Sequence, residues 1–322
     1  MRSSFSASSS LTGCKQRGGR RDAEDAEVIV KRPYPKNLCA LCVSATSALL
    51  PPSPLIAIPA HPIESLVPGV IPTTRKTTMS ENRELEKQVH AALEVEHRVN
   101  LHRYPVTIRA EGDVVTLDGT VENIAAKRRA VLAAAGVPGV REVIDQLLVE
   151  PAGRMGVDEI LHHVRDALIE EPALCNYKIV SVNKKDEREI DRDPAEAAGE
   201  IIVSVEEPGR VFLGGQVKSL SHRRLAGVLA WWVAGSMDVA NHLEVVPPEE
   251  DNDGEILDAV ELVLEKDHAV DTGDMTLGCK DAVVTLSGGI PTGRQKFLAE
   301  CDAWYVEGVR DVVNELVPVD PA

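Results

Sequence analysis

Apolar and polar residues alternate over seven positions at three places in the chain: Val115, Leu117 and Val121 around Gly119, Val211, Leu213 and Val217 around Gly215, and Val284, Leu286 and Ile290 around Gly288. A two-residue period of this kind belongs to a strand that buries one face. Turn-forming residues precede each stretch, namely Glu111-Gly112-Asp113, Glu207-Pro208-Gly209 and Lys280-Asp281. Before these turns stand shorter apolar runs, Val106 to Ile108, Ile201 to Val205 and Met275 to Leu277, so each place reads as a hairpin.

Further upstream the period changes. Leu85/Val89/Ala92/Leu93, Ile160/Val164/Ala167/Leu168 and Ile256/Val260/Val263/Leu264 share offsets of 0, 4, 7 and 8, which fall on one face of a helix. Downstream of the hairpins, Asn123, Ser219 and Thr292 are residue types that cap free backbone amides and open a second helix. Ala130 and Ala134, Ala226 and Ala230, and Ala299 and Ala303 give that helix a stripe of small side chains suited to close packing on a sheet. A second glycine follows the first by twenty residues in every copy (Gly139, Gly235, Gly308) and is expected to end the helix, with a last strand at Val143 to Leu147 and its counterparts.

A spacing kept three times defines a tandem array. The expected fold class is α+β: three tandem αββαβ modules, each a three-stranded mixed sheet covered on one face by two helices. The modules span 80–151, 155–248 and 252–320. From the last leucine of the first helix to the first glycine there are 26, 47 and 24 residues in the three copies. The surplus of the second copy, about 184–200, centres on the charged stretch Lys184 to Asp193, which reads as an exposed loop flanked by a strand at Lys178 to Val182. Proline-containing connectors, Val149 to Gly153 and Val246 to Gly254, favour a compact or gently curved array over freely jointed units.

The run Gly112-Asp113-Val114-Val115-Thr116-Leu117-Asp118-Gly119-Thr120-Val121 with Val137-Pro138-Gly139-Val140 resembles the BON domain family, named for bacterial osmotically inducible and nodulation proteins. So does Asp281 to Gly288 with Val306-Glu307-Gly308-Val309 and Val312 to Leu316. The resemblance covers roughly residues 82 to 318. It implies a non-catalytic binding protein of the envelope or of osmotic stress, acting through phospholipid or protein association. The alternative is a chaperone-like or structural oligomerising array.

Charge weighs on the choice of partner. Residues 1–78 hold ten Lys/Arg and five Asp/Glu, leaving 25 and 46 in residues 79–322, a formal charge of −21. Such a body repels nucleic acid and anionic lipid, so protein contact ranks above direct phospholipid contact. No run approaches the length of a transmembrane span. Nine of the twenty prolines lie in residues 1–78, which lack the repeat pattern. That segment reads as disordered or leader-like. With translation starting at Met79 a cytoplasmic location is expected, and with an export signal around Lys31 to Ala48 a periplasmic one.

Candidate chemistry is sparse. The sequence has no phosphate-cradling loop, nucleophile elbow or His-Glu-x-x-His, and neither a cofactor nor a metal is expected. His162-His163 diverge on a helix, and Cys39-Ala40-Leu41-Cys42 lacks a second pair. Cys175, Cys279 and Cys301 sit at unmatched repeat positions, so no disulfide framework is encoded. The aromatic residues stand out instead. Among only three Trp, four Tyr and three Phe, Trp231-Trp232 and Trp304-Tyr305 fall at the same offsets, sixteen and seventeen after the first glycine. Trp231, and Phe297 with Trp304, are expected to form an apolar contact surface toward another module or a partner, with Trp232 and Tyr305 bordering the core. The competing reading is that both aromatics close the base of their own module.

Overall fold

The computed structural model describes residues 29–31 and 79–319. Expectations about the start of translation and an export signal, and the Cys39/Cys42 pair, fall outside the described residues. A short strand β1 (Ile29–Lys31) precedes the first module, whose elements are α1 (Met79–Val95), β2 (Val106–Glu111), β3 (Val114–Val121), α2 (Ile124–Ala135) and β4 (Glu142–Val149). The second module comprises α3 (Val157–Glu170), a 3-10 turn at Pro172–Leu174, β5 (Tyr177–Val182), β6 (Arg188–Arg192), β7 (Gly199–Glu206), β8 (Arg210–Val217), α4 (Leu220–Trp232) and β9 (Asp238–Val245). The third has α5 (Asp253–Lys266), β10 (Met275–Lys280), β11 (Val283–Ile290), α6 (Gly293–Tyr305) and β12 (Asp311–Pro318).

In each module a hairpin pairs antiparallel and the last strand returns parallel to its second strand. Thus β2 lies against β3 with Ile108 opposite Leu117, and β3 lies against β4 with Leu117 opposite Asp145. The equivalents are β7–β8–β9 and β10–β11–β12. Leu117, Leu213 and Leu286 on the inner faces are fully buried. All six stripe alanines are buried too, which lets the second helix approach the sheet closely. The caps form as expected: Asn123 accepts from the Ala126 N–H, Ser219 from His222 and Thr292 from Gln295. β1 adds a parallel strand along β4, with Val30 opposite Val143.

Two expectations are corrected. The surplus of the second module is not a loop but a hairpin, β5–β6, that enlarges its sheet to five strands in the order β6-β5-β7-β8-β9. A charged segment can pair as an edge strand because its backbone needs only one partner while its side chains stay in water. Arg188, Glu189 and Ile190 are exposed in this way. Asp191 and Arg192 turn back instead: Asp191 accepts the Ser181 N–H at 2.9 Å, and Arg192 donates to the carbonyls of Tyr177 and Ile169, each at 3.0 Å. The second repeat glycine also does not end the helix. The helices stop at Ala135, Trp232 and Tyr305, and the glycine lies in the turn toward the last strand. Gly235 is there for space, since a Cβ would come within 2.8 Å of both Ile160 and Met155.

The first repeat glycine has a sharper cause. Gly119, Gly215 and Gly288 hold φ of +147°, +110° and +112° inside a strand. A Cβ would lie 2.9 Å from the Pro105 carbonyl oxygen, 2.1 Å from that of Glu200 and 2.1 Å from that of Asp274. Both backbone angle and neighbour therefore exclude a side chain. Gly215→Ala is expected to destabilise the chain by about 2 kcal/mol or more in chemical denaturation. Gly293→Ala, on the first turn of α6 with nothing within 4 Å, is expected to be neutral or slightly stabilising.

Candidate functional site at the junctions between modules

Each module first secures its own last strand. Asp145, Asn241 and Asn314 stand 26 residues after the first repeat glycine, on the inner face of that strand. Each accepts, through Oδ1, the N–H two residues on, from Leu147 at 3.0 Å, Leu243 at 3.3 Å and Leu316 at 3.3 Å. Each also reaches the helix residue eight after the glycine. Asp145 receives Lys127 Nζ at 2.9 Å, while Asn241 and Asn314 donate to the carbonyls of Arg223 and Lys296 at 2.8 and 2.9 Å. Lys127 and Lys296 complete the pin by donating to the carbonyls of Leu147 and Leu316. Side chains in this way satisfy the outward backbone groups of Leu147 and Leu316, and the N–H of Leu243, on the free side of the last strand. Fixed basic residues at offset eight and Asp or Asn at offset 26 were detectable in the repeat alignment, but their role depends on register.

The modules then dock through buried and half-buried polar contacts. Lys127, only 1% exposed, also pairs with Asp238 of the second module at 3.3 Å, so one ammonium holds two carboxylates. Beside it, the Val149 N–H donates to the Met237 carbonyl at 2.7 Å and Arg210 to the Gln146 carbonyl at 3.0 Å. Between the second and third modules, Arg224 donates to the Glu307 carbonyl at 2.8 Å and to both oxygens of Asp251 at 2.7 and 2.8 Å. Between the first and third, Arg128 donates to the carbonyls of Tyr305 and Val309, at 3.5 and 3.4 Å. Arg129 joins Glu96 to Asp311, and Arg98 pairs with Glu300. Burial pulls the Glu96 carboxyl upward, but its hydrogen bonds from Arg129 and the Arg98 amide hold it below the usual carboxylate range.

The aromatic residues lie in the same junctions. Trp231, 8% exposed, stacks on Tyr305 of the third module with ring centroids 5.7 Å apart. Trp232 donates from Nε1 to Asp302 at 3.0 Å. Trp304 is fully buried, with Arg98 of the first module 5.7 Å from its ring centroid. Phe297 is 57% exposed. Trp231 and Trp304 thus each meet another module, whereas Phe297 does not join them. Cover from the first module reaches Glu300 and Tyr305 on α6, whereas Phe297 lies about 10 Å along the helix from Trp304 and escapes it.

Asp302 is the most strongly placed titratable group of the junction. Burial, followed by the charge of Asp267 at the end of α5, pushes its carboxyl up to about 7, against the hydrogen bond from Trp232. Tyr305 and Cys301 beside it are raised by burial, the thiol to about 12. A thiol so held is almost wholly un-ionised at neutral pH and is a poor nucleophile. A hydroxyl–imidazole cluster elsewhere, Ser219 and Tyr177 around His222 Nδ1 at 2.8 and 3.0 Å, is committed to structure. The Ser219 hydroxyl caps α4, and the Tyr177 hydroxyl accepts the Lys218 N–H at 2.9 Å. Among the described residues no three His, Cys, Asp or Glu side chains converge as a metal site, and no helix is long and apolar enough to cross a membrane.

Two predictions follow from the charges. Lys127→Met removes the buried ammonium that Asp145 and Asp238 share and is expected to cost roughly 3–5 kcal/mol in urea unfolding. Between pH 3.8, the ordinary aspartate value, and about 7, folded Asp302 keeps a proton that the unfolded chain releases, so its contribution falls as pH rises through that window. Asp302→Asn retains an oxygen for Trp232 and is expected to raise stability at pH 8, on the order of 2 kcal/mol, while leaving it nearly unchanged at pH 4.

A search of curated proteins gave no match. Solved structures similar to the chain include the C-terminal domain of CdsD, the structural protein of the type III secretion system of Chlamydia trachomatis. It is 13% identical and covers 74% of this chain and 98% of that one, at a TM-score of 0.20. A second structure of CdsD from the same organism is 14% identical, with 74% and 94% covered, at a TM-score of 0.19. Neither overlay contributes to the assignment. The model of the BON domain matches residues 82–151, 184–247 and 252–318, the second match starting inside the inserted hairpin that separates α3 from the rest of its module. Matched three times over more than half its length, the chain belongs to the BON domain family.

Proposed function

We propose that the chain is a non-catalytic binding protein of the envelope or osmotic-stress class whose three BON modules act as one body on a protein partner. The observation that carries this reading is the docking itself. The buried apolar side chains of all three modules form a single continuous cluster, with the helices in the junctions, and ion pairs join every pair of modules, that between Lys127 and Asp238 being buried. A protein so built holds several surfaces in fixed relation. Trp231 and Trp304 are consumed inside the chain, so association uses outer strands and helix flanks instead.

Phospholipid association is the competing reading that family membership brings. It works against the formal charge of −21 on residues 79–322. Co-sedimentation of the full chain with neutral and anionic phospholipid vesicles, from low to physiological salt, separates the two. The account expects background sedimentation throughout, together with capture of a specific protein when the chain is cross-linked in its native cells. Saturable vesicle binding at physiological salt would contradict it.

A further inference from the structure

The three modules treat the same sheet edge in three ways. In the second module the outer edge of β7 is filled by β5, running parallel with Ile179 opposite Ile201. Tyr177 and Ile179 of β5 are 2% and 0% exposed, and Leu161 on the neighbouring flank of α3 is buried. In the first module the position equivalent to Leu161 is Glu86, and it caps the edge by accepting the Ala110 N–H at 3.0 Å. In the third module the equivalent residue is Leu257, which supplies no cap. β10 ends its sheet, with no strand beyond it among the described residues. Cys279 lies opposite Val284 as Ala110 lies opposite Val115, so the backbone groups of Leu277 and Cys279 face this edge. Behind the edge, between α5 and β10, is a groove of about 320 Å³ whose lining includes Leu257, Leu264, Met275 and Leu277, with Glu261 and Glu265 one helical turn apart.

We infer that the open edge of β10 receives an extended segment of a partner protein, parallel to β10 as β5 is to β7. Its inward-facing apolar side chains fill the groove, and a Lys or Arg at another inward-facing position meets Glu261 and Glu265. Backbone pairing supplies affinity in such strand addition, and the alternate side chains supply selectivity. The chain contains its own example of the occupant. Residues 176–183, Asn-Tyr-Lys-Ile-Val-Ser-Val-Asn, hold the equivalent edge of the second module with Tyr177 and Ile179 inward, while Lys178 lies on the opposite face against Glu200 at 3.0 Å. The acidic rim favours a segment with a basic residue on its inward face over one with an acidic residue there.

This inference deepens the binding reading and rests on it. The test uses a synthetic peptide rather than the native partner, so its failure leaves the vesicle and cross-linking results untouched. The full chain is titrated with the capped peptide of residues 176–183 while amide hydrogen exchange is followed. Saturable binding is expected, with exchange at Leu277 and Cys279 slowed at least about tenfold. Leu257→Asp is expected to abolish the protection. Because that variant can disturb folding, a second arm reverses charge on the solvent-facing rim. For a peptide carrying Lys at the inward position of Ser181, Glu261→Lys with Glu265→Lys is expected to weaken binding about threefold to tenfold, and Glu at that peptide position to regain the loss. Absence of saturation at millimolar peptide, protection at β7 instead of β10, indifference to the rim charges, or the same protection from phospholipid vesicles would each overturn the inference.

Discussion

The turn that follows α6 is where the whole chain is tied together. Its carbonyls at Tyr305, Glu307 and Val309 accept guanidinium donors from both other modules, Arg128 from the first and Arg224 from the second. Gly308 makes this geometry accessible, since it holds φ of +100° and a Cβ would stand 3.0 Å from Arg224 Nη2. Backbone carbonyls leaving a helix carry partial negative charge, and buried guanidinium groups need several acceptors, so each satisfies the other. A small αββαβ unit buries too little surface to be secure alone. Docked around this turn, the three units share one apolar interior.

Much of the fold could be read from residue spacing because it depends on local rules. The alternation around Gly119, Gly215 and Gly288, the stripe at Leu85 and its counterparts, and the caps Asn123, Ser219 and Thr292 all act within a few residues, and all appear in the structure in those roles. The β5–β6 hairpin was less legible. Its charged second strand reads as loop by composition, and only pairing with β5 and the inward turn of Asp191 and Arg192 makes it a strand. The helix ends were misplaced because Gly235 and Gly308 serve the packing of the following turn rather than the termination of the helix.

The candidate site was legible in part. The matched offsets of Trp231 and Trp304 marked residues of consequence, but which neighbour would cover each could not follow from helix geometry alone. Trp304 is sealed by Arg98, which lies over two hundred residues earlier, whereas Phe297, on the side of α6 expected for Trp304, is left in solvent. Arg98, Arg128, Arg129 and Arg224 carry no local signature at all. Charged residues on a helix flank are usually solvated, and only the placement of three modules against one another draws them into the junctions, Arg224 to full burial.

Calorimetric unfolding of the full chain tests the central claim most directly. If the three modules share one interior and are joined through the 305–309 turn, the chain should unfold in one cooperative transition with equal calorimetric and van't Hoff enthalpies. Arg224→Ala with Arg128→Ala should split that transition. Two or three separate transitions in the unaltered chain would show that the modules stand independently and would contradict the account.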